Sequence, residues 1–219
     1  MDQMIATSHV QSGPETPEEK IMRHAGLLSG QLQSIRERMY PPEAQKSLRR
    51  LMTHEVSKLT TIPEPTLRSL SNEGKGPVPD RLDNNYRVYT LDQVNELRRL
   101  FAEQKPADAL RYLPHRRPNE HLQILGVINF KGGSAKTTTA AHLAHYLALQ
   151  GYRVLAIDLD PQASLSAMFG AQPEMDVGEN ETIYAALRYG SERRPMHEIV
   201  RKTYFPGIDL VPGNIEVME

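Results

Sequence analysis

The stretch LQILGVINFKGGSAKTTTAAHLAHYLALQGYRVLAIDLD, residues 122–160, decides how this chain folds. Residues 122–130 form a continuous apolar run of the kind a strand buried in a parallel sheet requires. A glycine pair, Gly132-Gly133, follows at once. TTAAHLAHYLALQG then reads as a helix with Leu143, Tyr146 and Leu147 on its buried side, ending at Gly151. YRVLAIDLD, residues 152–160, predicts a second buried strand. Strand, glycine loop, helix and strand in this order are the context in which a phosphate-cradling loop works.

The residue types suit that chemistry. Gly132 and Gly133 have no side chains to keep backbone N–H groups from turning toward an anion. A helix beginning near Lys136 aims its positive end at the same place. Lys136 supplies charge for terminal phosphates, and the Thr137 hydroxyl suits Mg²⁺. Ser134, Ala135 and Thr138 complete the loop. The generic pattern G-x-x-x-x-G-K-[ST] has glycine where this chain has Phe130 and Ala135. If the backbone at Ala135 needs positive φ, its Cβ costs about 1–2 kcal/mol. The expectation is a weaker or slower phosphate site, not a lost one. The competing reading is a plain glycine-rich strand–helix turn with surface lysines.

Outward from this segment the chain is less uniform. It has 219 residues, a length for one or two domains, and no cysteine, which excludes disulfides, thiolate zinc sites and iron–sulfur clusters. No apolar run approaches a membrane span, and the N-terminus lacks a secretory pattern, so a cytoplasmic protein with no membrane partner is expected. Net charge is −1 overall but divides unevenly. Residues 1–43 carry four Lys/Arg against six Asp/Glu, residues 44–117 fourteen against nine, and residues 118–219 eight against twelve. The basic middle suits a polyanion such as DNA, although such a surface can also be merely solvated.

Residues 1–15 are polar and aperiodic, and disorder is expected there. Thr16, Pro17 and Glu19 then form a helix start with a capping box. Ile21, Ala25, Leu28, Leu32, Ile35 and Met39 follow at spacings of 4, 3, 4, 3 and 4, until Pro41-Pro42. This seam can pack on its own domain or against a second copy, and its narrowness favours self-association. Residues 44–117 predict helices over QKSLRRLM, THEVSKLT and TIPEPTLRSLSNEG, a hairpin with Asn84-Asn85 at its tip, and an amphipathic helix on Leu91, Val94, Leu97, Leu100 and Phe101. Val56, Leu59, Ile62, Leu67 and Leu70 are spaced to close a small core. The pattern is a winged helix-turn-helix. If its third helix enters a major groove, Glu64, Thr66, Arg68 and Ser69 lie on the leading turns, while Lys75, Arg81 and Arg87 sit on or near the wing. PHRRPNE, residues 114–120, reads as a linker with a domain boundary near 118.

With Lys131 in place, KGGSAKT resembles the deviant Walker A family, K-G-G-x-x-K-[TS], which includes ParA partition ATPases, MinD cell-division ATPases and the nitrogenase iron protein. That family does not require the first generic glycine, so Phe130 is no defect, whereas it has glycine at the position of Ala135. The resemblance implies that Lys131 reaches across an ATP–Mg²⁺ sandwich homodimer to the partner's phosphates, as a counterpart of an arginine finger. DLDPQASL, residues 158–165, resembles the family's D-x-D-P-Q-[GA] segment. By that resemblance Asp158 orients the attacking water and assists Mg²⁺, and Asp160-Pro161 opens a switch-like loop. The whole of 20–219 is most similar to ParA-type proteins of repABC plasmids, which carry an N-terminal winged helix.

The fold implied is α/β: a disordered start and dimerisation helix over 1–43, a winged helix-turn-helix over 44–117, and part of a P-loop parallel-sheet ATPase domain over 118–219. The partners implied are a second copy, operator DNA and a ParB-type centromere-binding protein. The function implied is ATP-driven plasmid partition with autorepression of the operon. The alternatives are a nucleotide-sensing transcriptional repressor and, less well matched to the N-terminal pattern, a metabolic P-loop kinase. Family members run to nearly twice this length, and the residues after GIDLV carry no Walker B strand, so a truncated chain is expected. Such a half sheet leaves an apolar edge, hence poor solubility or inactivity of the chain by itself.

Overall fold

The computed structural model describes residues 16–39, 46–190 and 193–218. The start expected to be disordered, Pro41-Pro42 and the Met39 side chain lie outside these. The chain divides into two compact units at Gln45/Lys46. In the first, helix α1 spans Pro17–Met39. Its start is the capping box: Glu19 N donates to Thr16 Oγ1 (3.2 Å) and Thr16 N to Glu19 Oε2 (2.8 Å). Ile21, Leu28, Leu32 and Ile35 of the seam are all more than half exposed.

The second unit begins with strand β1 (Leu51–Met52), helix α2 (Thr53–Thr60) and helix α3 (Glu64–Glu73). A hairpin of β2 (Asp80–Arg81) and β3 (Arg87–Tyr89) follows, then helix α4 (Leu91–Gln104), a 3₁₀ turn and the short α5 (Ala109–Tyr112). Strand β3 is central, antiparallel to both β1 and β2. Leu51-Met52, expected at the end of a helix, instead pairs with Tyr89 and Val88. Residues 46–50 form no helix. The strand partner is distant in sequence, so local propensity could not show it. Val56, Ile62 and Leu67 form the core between α2 and α3 with Leu59 and Leu70 packed beside them, and Leu91, Val94, Leu97 and Phe101 close it from α4.

Helix α6 (Lys136–Leu149), strand β4 (Val154–Ile157) and four short helices follow: α7 (Ser164–Met168), α8 (Pro173–Asp176), α9 (Ile183–Leu187) and α10 (Met196–Ile199). The chain continues through β5 (Arg201–Lys202) and β6 (Ile208–Val211) to a 3₁₀ turn. The sheet order is β4-β6-β5. Strands β4 and β6 run parallel, with Val154 opposite Ile208, but β5 is antiparallel, so the sheet is mixed rather than wholly parallel.

Two further expectations are corrected. Residues 122–130 are not a strand: they pair with nothing among the described residues, and Ile124, Ile128 and Phe130 are 84%, 84% and 104% exposed. An apolar run states that burial is favourable; a ladder also needs a neighbouring edge at hand. The buried side of α6 is Ala141, Ala144 and Ala148, while Tyr146 is exposed and Leu143 and Leu147 are half-buried. This helix is apolar almost all round, so its period did not single out a face. Alanine lets it approach closely. The apolar cluster runs without a break from Leu51 and Tyr112 to Ala141, Phe205 and Leu210, across the linker expected near 118.

Candidate phosphate-binding site

The site is built on the turn into α6. Asn129 Oδ1 accepts the Lys131 N–H (2.9 Å), and Lys136 Nζ donates to the Lys131 carbonyl (3.3 Å), folding the loop back on itself. A Cβ on Gly132 or Gly133 would meet nothing within 4 Å. The glycines are therefore not demanded by crowding within the protein, and they leave the backbone face open. Gly133 has φ +70°. Ala135, the residue before the helix, has φ 58° and ψ 25°. The backbone at this position is thus left-handed with an alanine in it, in the region where a Cβ costs about 1–2 kcal/mol. The Ser134 hydroxyl is buried without a hydrogen-bond partner among the described residues. Thr137 is half-buried, and Lys131 and Thr138 are exposed.

Helix α6 and β4 run in opposite directions through a tight turn at Gln150–Gly151, so the start of α6 and the carboxyl end of β4 lie at the same end of the layer. That end of β4 carries Asp158, which is 3% exposed. Its Oδ2 accepts Ser166 N (2.8 Å) and Ser166 Oγ (2.7 Å), and its Oδ1 accepts Asp160 N (3.2 Å). Ser166 Oγ accepts in turn from Gly213 N (2.9 Å). Gly213 gives room here: a Cβ would sit 3.0 Å from the Asp158 and Asp160 carbonyl oxygens, a tight contact that the backbone would have to relieve. Asp158 thereby pins the 158–166 loop and the start of α7 to the residues after β6. Oδ2 is spent on this role, while Oδ1, with one long bond, keeps acceptor capacity. Ser166 was not anticipated. Its only sequence signal is a serine eight residues after the aspartate.

The side chains considered for DNA contact occupy α3, the turn just after it at Lys75, and the hairpin. Arg68 pairs with Glu64 (3.1 Å), Lys75 with Glu73 (2.8 Å), and Ser69 donates to Glu73. Arg81 donates to Asn85 Oδ1 (2.6 Å). Arg87 bonds Ser71 Oγ (3.2 Å) and Asn72 Oδ1 (2.6 Å), tying the hairpin to the end of α3. Thr66 is half-buried; Arg68, Ser69, Lys75 and Arg81 face solvent.

A family model described as AAA domain matches residues 122–219. A protein named replication protein A from Sinorhizobium fredii (strain NBRC 101917 / NGR234) is 46% identical over 202 residues, 92% of this chain and 49% of its own length. One of the same name from Rhizobium rhizogenes is 49% identical over 197 residues, 90% of this chain and 48% of its own. SopA of Escherichia coli K12 is 31% identical over 178 residues, 78% and 43% of the two chains. These similarities lie with proteins of the ParA-like partitioning kind. The chain spans about half the length of the curated relatives it matches. The match to these relatives extends well before residue 122, so the region of α2 to α5 is shared with them rather than appended to the AAA-matching part. Among the described residues no helix is long and apolar enough to cross a membrane.

Proposed function

We propose that this chain is the nucleotide-binding part of a ParA-type ATPase for plasmid partition that also binds DNA through its 46–112 region. The observation that supports it most is the loop 131–138: two open glycines and a buried, unpartnered Ser134 hydroxyl at the head of a 14-residue helix. A buried hydroxyl without a partner is costly unless a ligand answers it. The residues present fit ATP with Mg²⁺, which would bring a triphosphate with a leaving γ-phosphoryl group. The amides of 132–138 and Lys136 would hold the phosphates, Thr137 would ligate the metal, and Asp158 would orient water through its less occupied oxygen. Lys131 is exposed, and its ammonium has no ion-pair partner among the described residues, as a group acting across a homodimer would be. Helices α2 and α3 with the β2–β3 hairpin would act as a winged helix-turn-helix on operator DNA, repressing the protein's own operon. Glu64, Thr66, Arg68 and Ser69 would face the groove, and Lys75, Arg81 and Arg87 the phosphates. Helix α1 would pair with its copy, and a ParB-type centromere-binding protein would stimulate hydrolysis. The place of action would be the nucleoid or plasmid in the cytoplasm.

The test is nucleotide binding and hydrolysis by the intact protein. Lys136→Ala is expected to abolish binding of a fluorescent ATP analogue. Lys131→Ala is expected to keep binding but slow hydrolysis at least ~10³-fold, the scale of an arginine finger. Unchanged hydrolysis in Lys131→Ala would reject the trans-acting role. The structural use of Asp158 favours one other reading, a nucleotide-sensing repressor without a motor. In that case Asp158→Ala would alter operator binding while plasmid partition would not depend on Lys131.

A further inference from the structure

Arg98 lies in α4, outside the phosphate loop, yet it is the largest fully buried side chain among the described residues, 1% exposed. Its Nη1 donates to Asn95 Oδ1 (2.7 Å). Its Nη2 donates to two carbonyls at once: Leu59 in the last turn of α2 (3.2 Å) and Leu149 at the end of α6 (2.5 Å). Each is a terminal helix carbonyl with no acceptor role inside its own helix, and each sits at the negative end of a helix dipole. One guanidinium therefore caps two helices from opposite parts of the fold. Gly151 makes the approach possible. It has φ +95°, and a Cβ there would sit 3.0 Å from Arg98 Cδ and Nε. Burial pulls the Arg98 pKa down to about 10, so the group is still a cation at neutral pH.

The two capped helices matter because of where they lead. Helix α6 starts at the phosphate loop, and α2 is separated from α3 by only Thr61–Pro63. A second cation repeats the arrangement. Lys46 Nζ donates to the carbonyls of Ala167 (2.6 Å) and Met168 (3.2 Å) at the end of α7, whose start is pinned by Asp158. Both helices that begin at the candidate site are thus held at their far ends by cations of the 46–112 region.

We propose that Arg98 is a positioning residue through which occupancy of the phosphate loop is transmitted, along α6, to α2 and the α3 surface, with Lys46 a secondary contact through α7. This rests on the nucleotide- and DNA-binding reading above. A buried charge suits such coupling, since moving α6 away from α2 would leave a desolvated cation short of an acceptor. Rigid packed elements with alternative arrangements are what carry such coupling.

The experiment measures DNA binding by the intact protein with and without ADP–Mg²⁺ and ATPγS–Mg²⁺. The DNA is a duplex spanning the promoter upstream of its own gene. The unaltered protein is expected to change DNA affinity at least about 5-fold between nucleotide states, within the usual range of allosteric coupling. Arg98→Met is expected to reduce that factor below about 2-fold while fluorescent-nucleotide affinity and nucleotide-free DNA affinity each stay near wild type. A structural role alone would lower thermal stability without erasing the ratio. Arg98→Lys, which keeps the charge but loses the fork, is expected to retain part of the ratio and covers the case in which Arg98→Met does not fold. Lys46→Ala is expected to weaken the ratio less. Full coupling retained in Arg98→Lys and Arg98→Met overturns the proposal. So does a wild-type protein that binds both ligands without coupling, which would leave the proposed function standing. A wild-type protein that binds no nucleotide would instead overturn the proposed function.

Discussion

The 46–112 region and the 122–160 region bury apolar residues to very different degrees. In the first, β1, α2, α3, β3 and α4 each turn their apolar positions inward, and Val56, Ile62, Leu67, Leu91, Val94 and Leu97 are all nearly inaccessible. In the second, the apolar run 122–130 is exposed, and among the described residues β4 pairs with β6 alone, leaving its Leu155 and Ile157 exposed. The first region buries its apolar positions because its helices meet at short range and its three strands pair with one another, β1 with β3 and β2 with β3. The second depends on edges that other strands must supply. Hydrophobic pattern measures the tendency to be covered; it does not say by what.

This difference can be broken most directly by truncating one apolar residue in each region. Leu97→Ala is expected to cost about 2–5 kcal/mol, as for other buried leucines, whereas Ile128→Ala in this chain is expected to change stability by less than about 0.5 kcal/mol. Urea unfolding of the two variants checks this, and equal losses would mean that 122–130 is covered in solution. Asp158→Asn is the next largest. It removes the charge that accepts two bonds from Ser166 and one from Asp160, and about 1.5–3 kcal/mol of stability should be lost, with amide exchange rising first in 160–168. A protected loop in that variant would contradict the pinning role.

Ala135→Gly is expected to stabilise the loop by about 1 kcal/mol, relieving a left-handed alanine, and to tighten binding of an ATP analogue by up to ~5-fold. Unchanged affinity and melting temperature would make Ala135 neutral. The smallest effect concerns pH. His145 lies between the rings of Phe169 and Phe205, and burial, with the charge of His142 second, holds its pKa below the ordinary 6.5. A depressed histidine favours the folded state when neutral. Its contribution is full above about pH 6.5 and is lost as pH falls through the lower folded value. The fall in melting temperature between pH 7.5 and 5.5 should be smaller in His145→Phe than in wild type. An equal fall would place the acid sensitivity elsewhere.

Much of the architecture was legible because it is written in short-range chemistry. The T-x-x-E capping box, the helix over 91–104, the hairpin tip at Asn84-Asn85, Gly74 as a left-handed helix end and the glycine loop before α6 all depend on residues within a few positions of one another. The loop pattern raised the question of positive φ at Ala135, and the structure answered it with φ 58°. Three features were not legible. The pairing of Leu51-Met52 with β3 spans nearly forty residues, Ser166 enters through a fold-dependent bond, and Arg98 reads as one more surface arginine of an amphipathic helix.

By itself, then, the order of residues determined where α1 begins, where α3 ends, the span of α4 and the glycine loop before α6, because backbone sterics and capping act locally. Only the tertiary structure decided that a run as apolar as 122–130 is left unpaired, that α6 packs on alanines, and that Arg98 joins the ends of two helices. Those outcomes depend on which edge, carbonyl or cavity arrives from elsewhere in the chain, and burial turns a solvated arginine into a structural bond only once both helix ends are brought to it.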